Sequence, residues 1–269
     1  MTKLTEAVRE TTKKLLLETR TSGDVSLNNA LRYLAKWRSV LLQNTLIKNE
    51  GTVVQDGILA GLQFLSQSAE GCHIAKLLGT YEQPLQKPLK ALLEENSYEN
   101  LVNIGCAEGY YAVGLARLFP RILSYAYDTD QRAREACELL AQKNNVEGRI
   151  IINQMFTHQQ FSVFEATNTL VFCDIEGAEK QLLDPLLAPS LASLDIVVES
   201  HECLVPGITQ LLVNRFSESH EIIKIDDNGT RKLSKTPPWF HKLNHLDQLL
   251  CTWEWRSGPT PWLIMRAKR

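Results

Sequence analysis

The sequence predicts an α/β fold: a mostly parallel sheet of seven strands with helices on both faces, preceded by a helical extension. Three observations predict it. From Leu101 onward, short apolar runs alternate with amphipathic ones, and successive βα units demand parallel strands joined by right-handed crossovers. The first run, Leu101 to Ile104, ends in the small-residue turn Gly105-Cys-Ala-Glu-Gly109 and passes directly into a helical pattern. A second run, Ser124 to Tyr127, ends in Asp128. An acid about 20 residues after such a turn is placed to accept hydrogen bonds from a ribose diol.

The elements follow in order. Residues 1 to about 50 read as helical, with Leu27, Leu31, Leu34, Trp37 and Leu41 at spacings of three and four on one face. Ser26 is a candidate N-cap and Gly51 a candidate stop. Nine basic residues against five acids in this stretch fit a solvated helix face. Asp56-Gly57, between short apolar runs in residues 52–65, signals a hairpin that would help roof the substrate side. Strands are expected at 101–104, 124–128, 150–154, 169–173, 195–199, 220–226 and 261–266, and helices near 110–118, 130–144, 178–188 and 207–216. The domain division expected is 1–95, a helical extension with its hairpin, and 96–269, a cofactor-binding domain.

The connection at 227–260 carries no strong helix pattern, yet with Trp262 at its end it holds four of the five tryptophans. Long loops in compact domains are usually lids or disordered, and tryptophan argues against disorder. It reads either as a lid or substrate wall, or as a segment packed on the domain.

Bulk properties exclude more than they assign. A net charge of -2 gives no electrostatic case for nucleic acid. The six cysteines are dispersed, without a CxxC pair or zinc spacing, which suits reduced thiols. No secretory signal or membrane span is legible, so a cytoplasmic protein is expected.

The turn after the first strand decides between cofactors. A dinucleotide fingerprint wants G-x-G-x-x-G, whereas here Gly105 and Gly109 are separated by Cys106, Ala107 and Glu108. A carboxylate at Glu108 repels a pyrophosphate and suits a cationic amine or sulfonium, as in S-adenosylmethionine (SAM). Further along, Asp174 ends the fourth strand, and Glu199 and His201 end the fifth. Ligands of open α/β sheets bind outside these carboxyl ends. Two chemistries remain open there: general base catalysis by His201, or by Asp174, and a divalent metal such as Mg2+ held by Asp174 and Glu199. Glu176 and Glu179 fit the plainer role of favouring the next helix's start.

The blocks NIGCAEGYYAVGLA, AYDTD, FCDIEGAE with LLDP, and VVESHE, together with KLLGTYE at 76–82 and RSGPTPWL at 256–263, resemble the FkbM-type family of class I SAM-dependent methyltransferases over roughly residues 57 to 266. The resemblance implies a seven-stranded Rossmann-like methyltransferase sheet with its last strand antiparallel, SAM as methyl donor, and O-methylation of sugars or natural products. It implies that Gly105, Ala107, Glu108, Gly109 and Tyr110 line the methionine side of SAM, that Asp128 with Thr129 holds the ribose, and that Asp174 lies near the methyl. Position 103 departs from the pattern: Asn103 stands where such enzymes commonly carry an acid, and it would bind the methionine amine without a charge. The expected partner is a small-molecule acceptor, with neither nucleic acid nor membrane. The N-terminal helices fit both a homodimer and a cap on the sheet. A non-catalytic binding protein and a nicotinamide-dependent oxidoreductase are the alternatives.

Overall fold

The computed structural model describes residues 3–18, 22–68 and 72–268. Its sheet has the order β3-β2-β1-β4-β5-β7-β6. The chain enters through helices α1 (Lys3–Leu16), α2 (Gly23–Glu50), α3 (His73–Leu78) and α4 (Gln83–Glu95). Then come β1 (Asn100–Ile104), α5 (Tyr110–Leu118), β2 (Leu123–Tyr127), α6 (Gln131–Lys143), β3 (Ile150–Asn153), the one-turn α7 (Phe161–Phe164) and β4 (Thr169–Cys173). The one-turn α8 (Glu179–Leu182), β5 (Asp195–Glu199), α9 (Ile208–Phe216), β6 (His220–Ile225), α10 (His245–Thr252) and β7 (Trp262–Ala267) complete it.

All seven expected strands form. β1 pairs in parallel with β2 and β4, and β7 lies antiparallel to both β5 and β6. Every residue of β4 and β5 is buried, as strands covered on both faces must be. Side chains alternate between two cores. Leu101, Leu170, Phe172 and Val197 join one that runs into α2, α3, α4 and α5, whereas Val102, Val171, Ile196 and Val198 join another with Leu212 and Phe216 of α9. The helical extension therefore shares a core with the sheet. No helix among the described residues is long and apolar enough to cross a membrane.

Several expectations change. The N-cap of α2 is Ser22, whose hydroxyl accepts from Val25 N, and Gly51 closes the helix as expected. The stripe of Leu27, Leu31 and Leu34 points outward, at 59%, 66% and 38% exposed, while Ala30, Ser39, Leu42 and Leu46 are buried. Arg38 explains part of this rotation, because its guanidinium reaches Asp247 of α10 at 2.7 and 2.5 Å and fixes that flank inward. Asp56-Gly57 is not a two-residue turn. The ladder closes further out, with Val54 N on Leu62 O, Gly61 N on Val54 O and a bridge between Val53 and Gln63. This hairpin lies against α5 and α6, not over the strand ends: Gly114 leaves no room for a Cβ beneath Leu59, and Gln63 pairs with Asn144. The helix expected at 178–188 is only Glu179–Leu182, since Pro185 and Pro189 bar its continuation. The 227–260 segment contains α10, capped by the Asn244 side chain on Asp247 N at 2.9 Å. It packs Trp239, Trp253 and Trp255 against the core and holds the extension through Arg32, which donates to the carbonyls of Trp255 and Arg256.

Candidate active site

The carboxyl ends of β1, β2 and β4 frame a cleft of about 510 Å³, lined among others by Gly105, Asp128, Thr129, Phe156, Asp174 and Leu182. A depression of about 680 Å³ along α6 and β3, lined by Arg134, Glu135, Glu138 and Glu147 among others, adjoins the cleft at Gln154. The turn beneath the cleft follows from its sequence. Gly105 has φ +78°, and a Cβ there would stand 1.6 Å from the carbonyl oxygen of Asp174, so glycine lets the chains leaving β1 and β4 touch. Gly109, φ +88°, would place a Cβ 2.6 Å from Cys137 Sγ. Ala107 takes φ +46°, and its N–H donates to Asp128 Oδ2 at 2.9 Å while Asp130 N donates to Oδ1 at 2.8 Å. Asp128 thus closes the turn and still lines the cleft, since each carboxylate oxygen has a second lone pair.

The structure divides the expected cofactor residues. Gly105, Asp128, Thr129 and Asp174 line the cleft; Asn103, Ala107, Glu108, Gly109 and Tyr110 are not among its lining residues. Glu108 is corrected most sharply. It is fully buried, and Lys76 Nζ, also buried, meets its Oε1 at 2.5 Å, joined by Ser68 at 2.8 Å. Burial alone would raise its pKa, but Lys76 outweighs it and holds the carboxyl below the ordinary value. The charge expected to face a cationic ligand is neutralised from within. Tyr110 turns the same way, its ring 5.6 Å beneath the Lys76 ammonium. Asn103 is buried, donates weakly to Phe172 O at 3.4 Å, and leaves its Oδ1 without a partner.

The negative charge sits deeper along the rim. The carboxylates of Glu82, Asp174 and Glu199 lie within 4.8 Å of one another, so the two residues expected as a metal pair are joined by a third. Arg256 is the resident cation: Nη1 contacts Glu199 and Thr260, and Nη2 reaches Glu82 Oε1 at 3.0 Å. Burial and then the charges of Glu199, Glu82 and Glu176 drive Asp174 well above the usual carboxylate range. Burial, with Glu199 next, raises Glu82 to about 8 against the pull of Arg256. Glu82 also accepts from Tyr111 Oη at 2.5 Å, and its own N–H donates to Glu254 Oε1 at 2.9 Å.

His201 stands behind Asp174, its side chain 5% exposed against 27% for Asp174. Its Nδ1 lies 2.8 Å from Glu179 Oε1, which also accepts from Ile175 N at 3.0 Å. Burial disfavours the imidazolium, but the bond to Glu179 and the charges of Glu199, Glu179 and Glu176 prevail and raise its pKa. Glu179 is therefore more than a helix-start residue, whereas Glu176 remains on the surface at 70% exposed. Glu82, Arg256, Glu254 and Lys76 carry roles that residue-by-residue reading did not assign. Three of them fall in the KLLGTYE and RSGPTPWL blocks, where charged residues inside otherwise apolar or turn-rich stretches were the available signal.

No family model matches the chain, and no curated protein matches it. Among solved structures it is similar to a proposed O-methyltransferase from Klebsiella pneumoniae, 14% identical, covering 88% of this chain and 100% of that one with a TM-score of 0.48. It is similar to an O-methyltransferase from Bacillus cereus in complex with SAH, 13% identical, covering 70% and 81%, TM-score 0.44. It is also similar to the cofactor-bound protein Rv0187 from MTB, 16% identical, covering 70% and 81%, TM-score 0.47. Identities and scores this low assign no activity to the chain.

Proposed function

We propose that this chain is a SAM-dependent methyltransferase that methylates a hydroxyl of a small molecule, such as a sugar or natural product. One observation carries the reading: a cleft at the strand ends is lined by a ribose-type acid, Asp128, and by Asp174, whose carboxylate lies within 4.8 Å of those of Glu82 and Glu199. The donor set suits the cofactor. Asp128 offers acceptors to a diol, and Asp174 offers carboxyl oxygens on the side where a sulfonium would lie. The cleft's volume lies within the range of small-molecule sites. Bound SAM supplies an electrophilic methyl group. The chain's own work is alignment, which for an in-line displacement is most of the catalysis. The motif resemblance supports oxygen as the methylated atom.

Asp174 is assigned the acceptor's proton, in place of His201. It borders the cleft, and its raised pKa makes its ionised form a stronger base than an ordinary carboxylate. His201, buried and hydrogen-bonded to Glu179, positions Asp174 from behind. A second reading, a binding protein without turnover, draws on Asn103 and Glu108, both turned into the core. Calorimetric titration with SAM, S-adenosylhomocysteine and NAD decides. Micromolar binding of the two sulfur compounds, about -8 kcal/mol, with none of NAD is expected. Absence of both would sink the methyltransferase reading.

A further inference from the structure

The outward stripe of α2 has the spacing of a helix seam. Asp24, Leu27, Leu31, Leu34, Arg38 and Leu41 follow one another at alternating steps of three and four. Such a series keeps to one narrow line along a helix and repeats every 3.5 residues, the pattern by which one helix packs on another like it. Three helices, α1, α3 and α10, already pack on α2, yet none of them covers Leu27, Leu31 and Leu34, which stay 59%, 66% and 38% exposed. Singly exposed leucines are ordinary, but these adjoin, and the apolar surface extends beyond them. Arg38, the next place in the series, holds Asp247 of α10 at 2.7 and 2.5 Å. Helix α10 therefore borders the stripe, and its Leu246 and Leu249, on either side of Asp247 in sequence, are 64% and 68% exposed.

Charge points to what covers it. Asp24, exposed, puts an acid at the N-terminal end of the stripe. Arg32, Lys36 and Arg38 make the other half basic, with Asp247 the acid paired there. Arg32 is spent on two backbone carbonyls and Lys36 on the face of Trp255, so both keep their charge. A second α2 laid antiparallel brings Asp24 of each helix beside the basic half of the other. Between the two ends, Leu31 and Leu34 meet the partner's Leu34 and the partner's Leu31. A parallel arrangement would set Asp24 against its own copy and Arg38 against its own copy. The antiparallel order is also its own two-fold, the same patch on both sides, as a closed homodimer requires.

We infer that the Leu27–Leu31–Leu34 stripe of α2, bordered by Leu246 and Leu249 of α10, is the interface with a second copy of this chain, joined antiparallel about a two-fold axis between Leu31 and Leu34. Five leucines from each copy form its apolar centre, and the charged ends set its direction. This suits a small interface, roughly 600 Å² per partner, at the lower limit for specific complexes, so the dimer is weak and dissociates on dilution. No residue of the strand-end cleft takes part, and the dimer does not rest on the methyl-transfer reading.

Sedimentation equilibrium of the full chain over a range of concentrations tests it. A single chain at low concentration that passes into a dimer through the micromolar range is expected. Leu31→Glu, at an exposed position, should leave far-UV circular dichroism unchanged and weaken association at least about tenfold, since it sets two like charges at the centre of the interface. Asp24→Lys should weaken it several-fold, because it turns an attractive end into a repulsive one. A chain that stays single at every concentration, or a dimer that Leu31→Glu leaves intact, overturns the interface. Association that Asp24→Lys leaves unchanged overturns the antiparallel order on which it is built. Cosedimentation of single chains with phosphatidylserine vesicles, lost in Leu31→Glu, would give the stripe to a lipid surface and overturn the dimer as well.

Discussion

Lys76 and Glu108 lie in a part of the molecule where neither charge can leave water without the other. Their side chains are 4% and 0% exposed and meet at 2.5 Å. Removing one partner leaves an uncompensated buried charge, which typically costs about 3–5 kcal/mol, whereas replacing both by apolar groups of similar volume is often near neutral. Lys76→Met should therefore destabilise the protein by about that amount in urea unfolding, and Lys76→Met with Glu108→Leu should recover most of it. His201 obeys a related argument with a different readout. Its folded pKa lies above the ordinary 6.5 because Glu179 and its acidic neighbours outweigh burial. The stability it contributes is thus fully present below 6.5 and lost as pH rises through the folded value. In NMR titration of the histidine ring protons, its resonance should move at a higher pH than that of His73, which burial and then Lys76 push down to about 4. Glu179→Gln should bring His201 down; an unchanged midpoint would show that Glu179 does not hold the proton.

The turn from β1 into α5 is built around backbone crowding. Gly105→Ala would drive a Cβ into the Asp174 carbonyl while keeping a positive φ. A loss of at least about 2 kcal/mol in unfolding free energy is expected, together with loss of the proposed SAM binding, because the chains leaving β1 and β4 must part. On α2 the expectation is reversed. Leu31→Ser, on the outward stripe, should change stability by no more than about 0.5 kcal/mol, while Leu46→Ala, at 0% exposed, should cost about 2–5 kcal/mol. These contrasts show what was legible. Strand runs such as Leu170 to Cys173 are apolar because both faces are covered, and that burial is written directly in the residues. The turn glycines and Asp128 were equally plain. The orientation of α2 was not, since two apolar faces of one helix compete and the tertiary anchor of Arg38 on Asp247, far along the chain, decides between them. Glu108 was visible as a carboxylate in the turn, but its partner Lys76 comes from the extension, and spacing cannot reveal it.

Across the whole molecule, Arg256 joins parts that are distant in sequence: Glu82 ahead of α4, Glu199 at the end of β5, and the tryptophan-rich segment that carries Arg256 itself. This is why the segment is both a packed wall and part of the site. Arg256→Met should leave two buried carboxylates without their cation, and the size of that penalty should depend on pH. Glu82 has a folded value near 8, set chiefly by burial and then by Glu199, against an ordinary 4.5. An acid raised in this way keeps a proton in the native state that the unfolded chain has already released. Its contribution to stability is full below 4.5 and falls as pH climbs toward 8. Without Arg256 the folded value rises further, because the charge that does most to lower it is gone and only the weaker pull of the Tyr111 hydroxyl is left. Near pH 6 Glu82 is protonated in both proteins, and the variant loses mainly its contact with Glu199. Near pH 9 the parent holds Glu82 ionised beside Arg256, and the variant must either bury that charge alone or take up a proton. The loss in unfolding free energy should therefore be greater at pH 9 than at pH 6 by about 1–2 kcal/mol, since each unit of pKa difference is worth about 1.4 kcal/mol. Denaturant titrations of both proteins at the two pH values measure it. An equal loss at both would show that Arg256 acts through Glu199 and the packing of its own segment, with Glu82 a bystander.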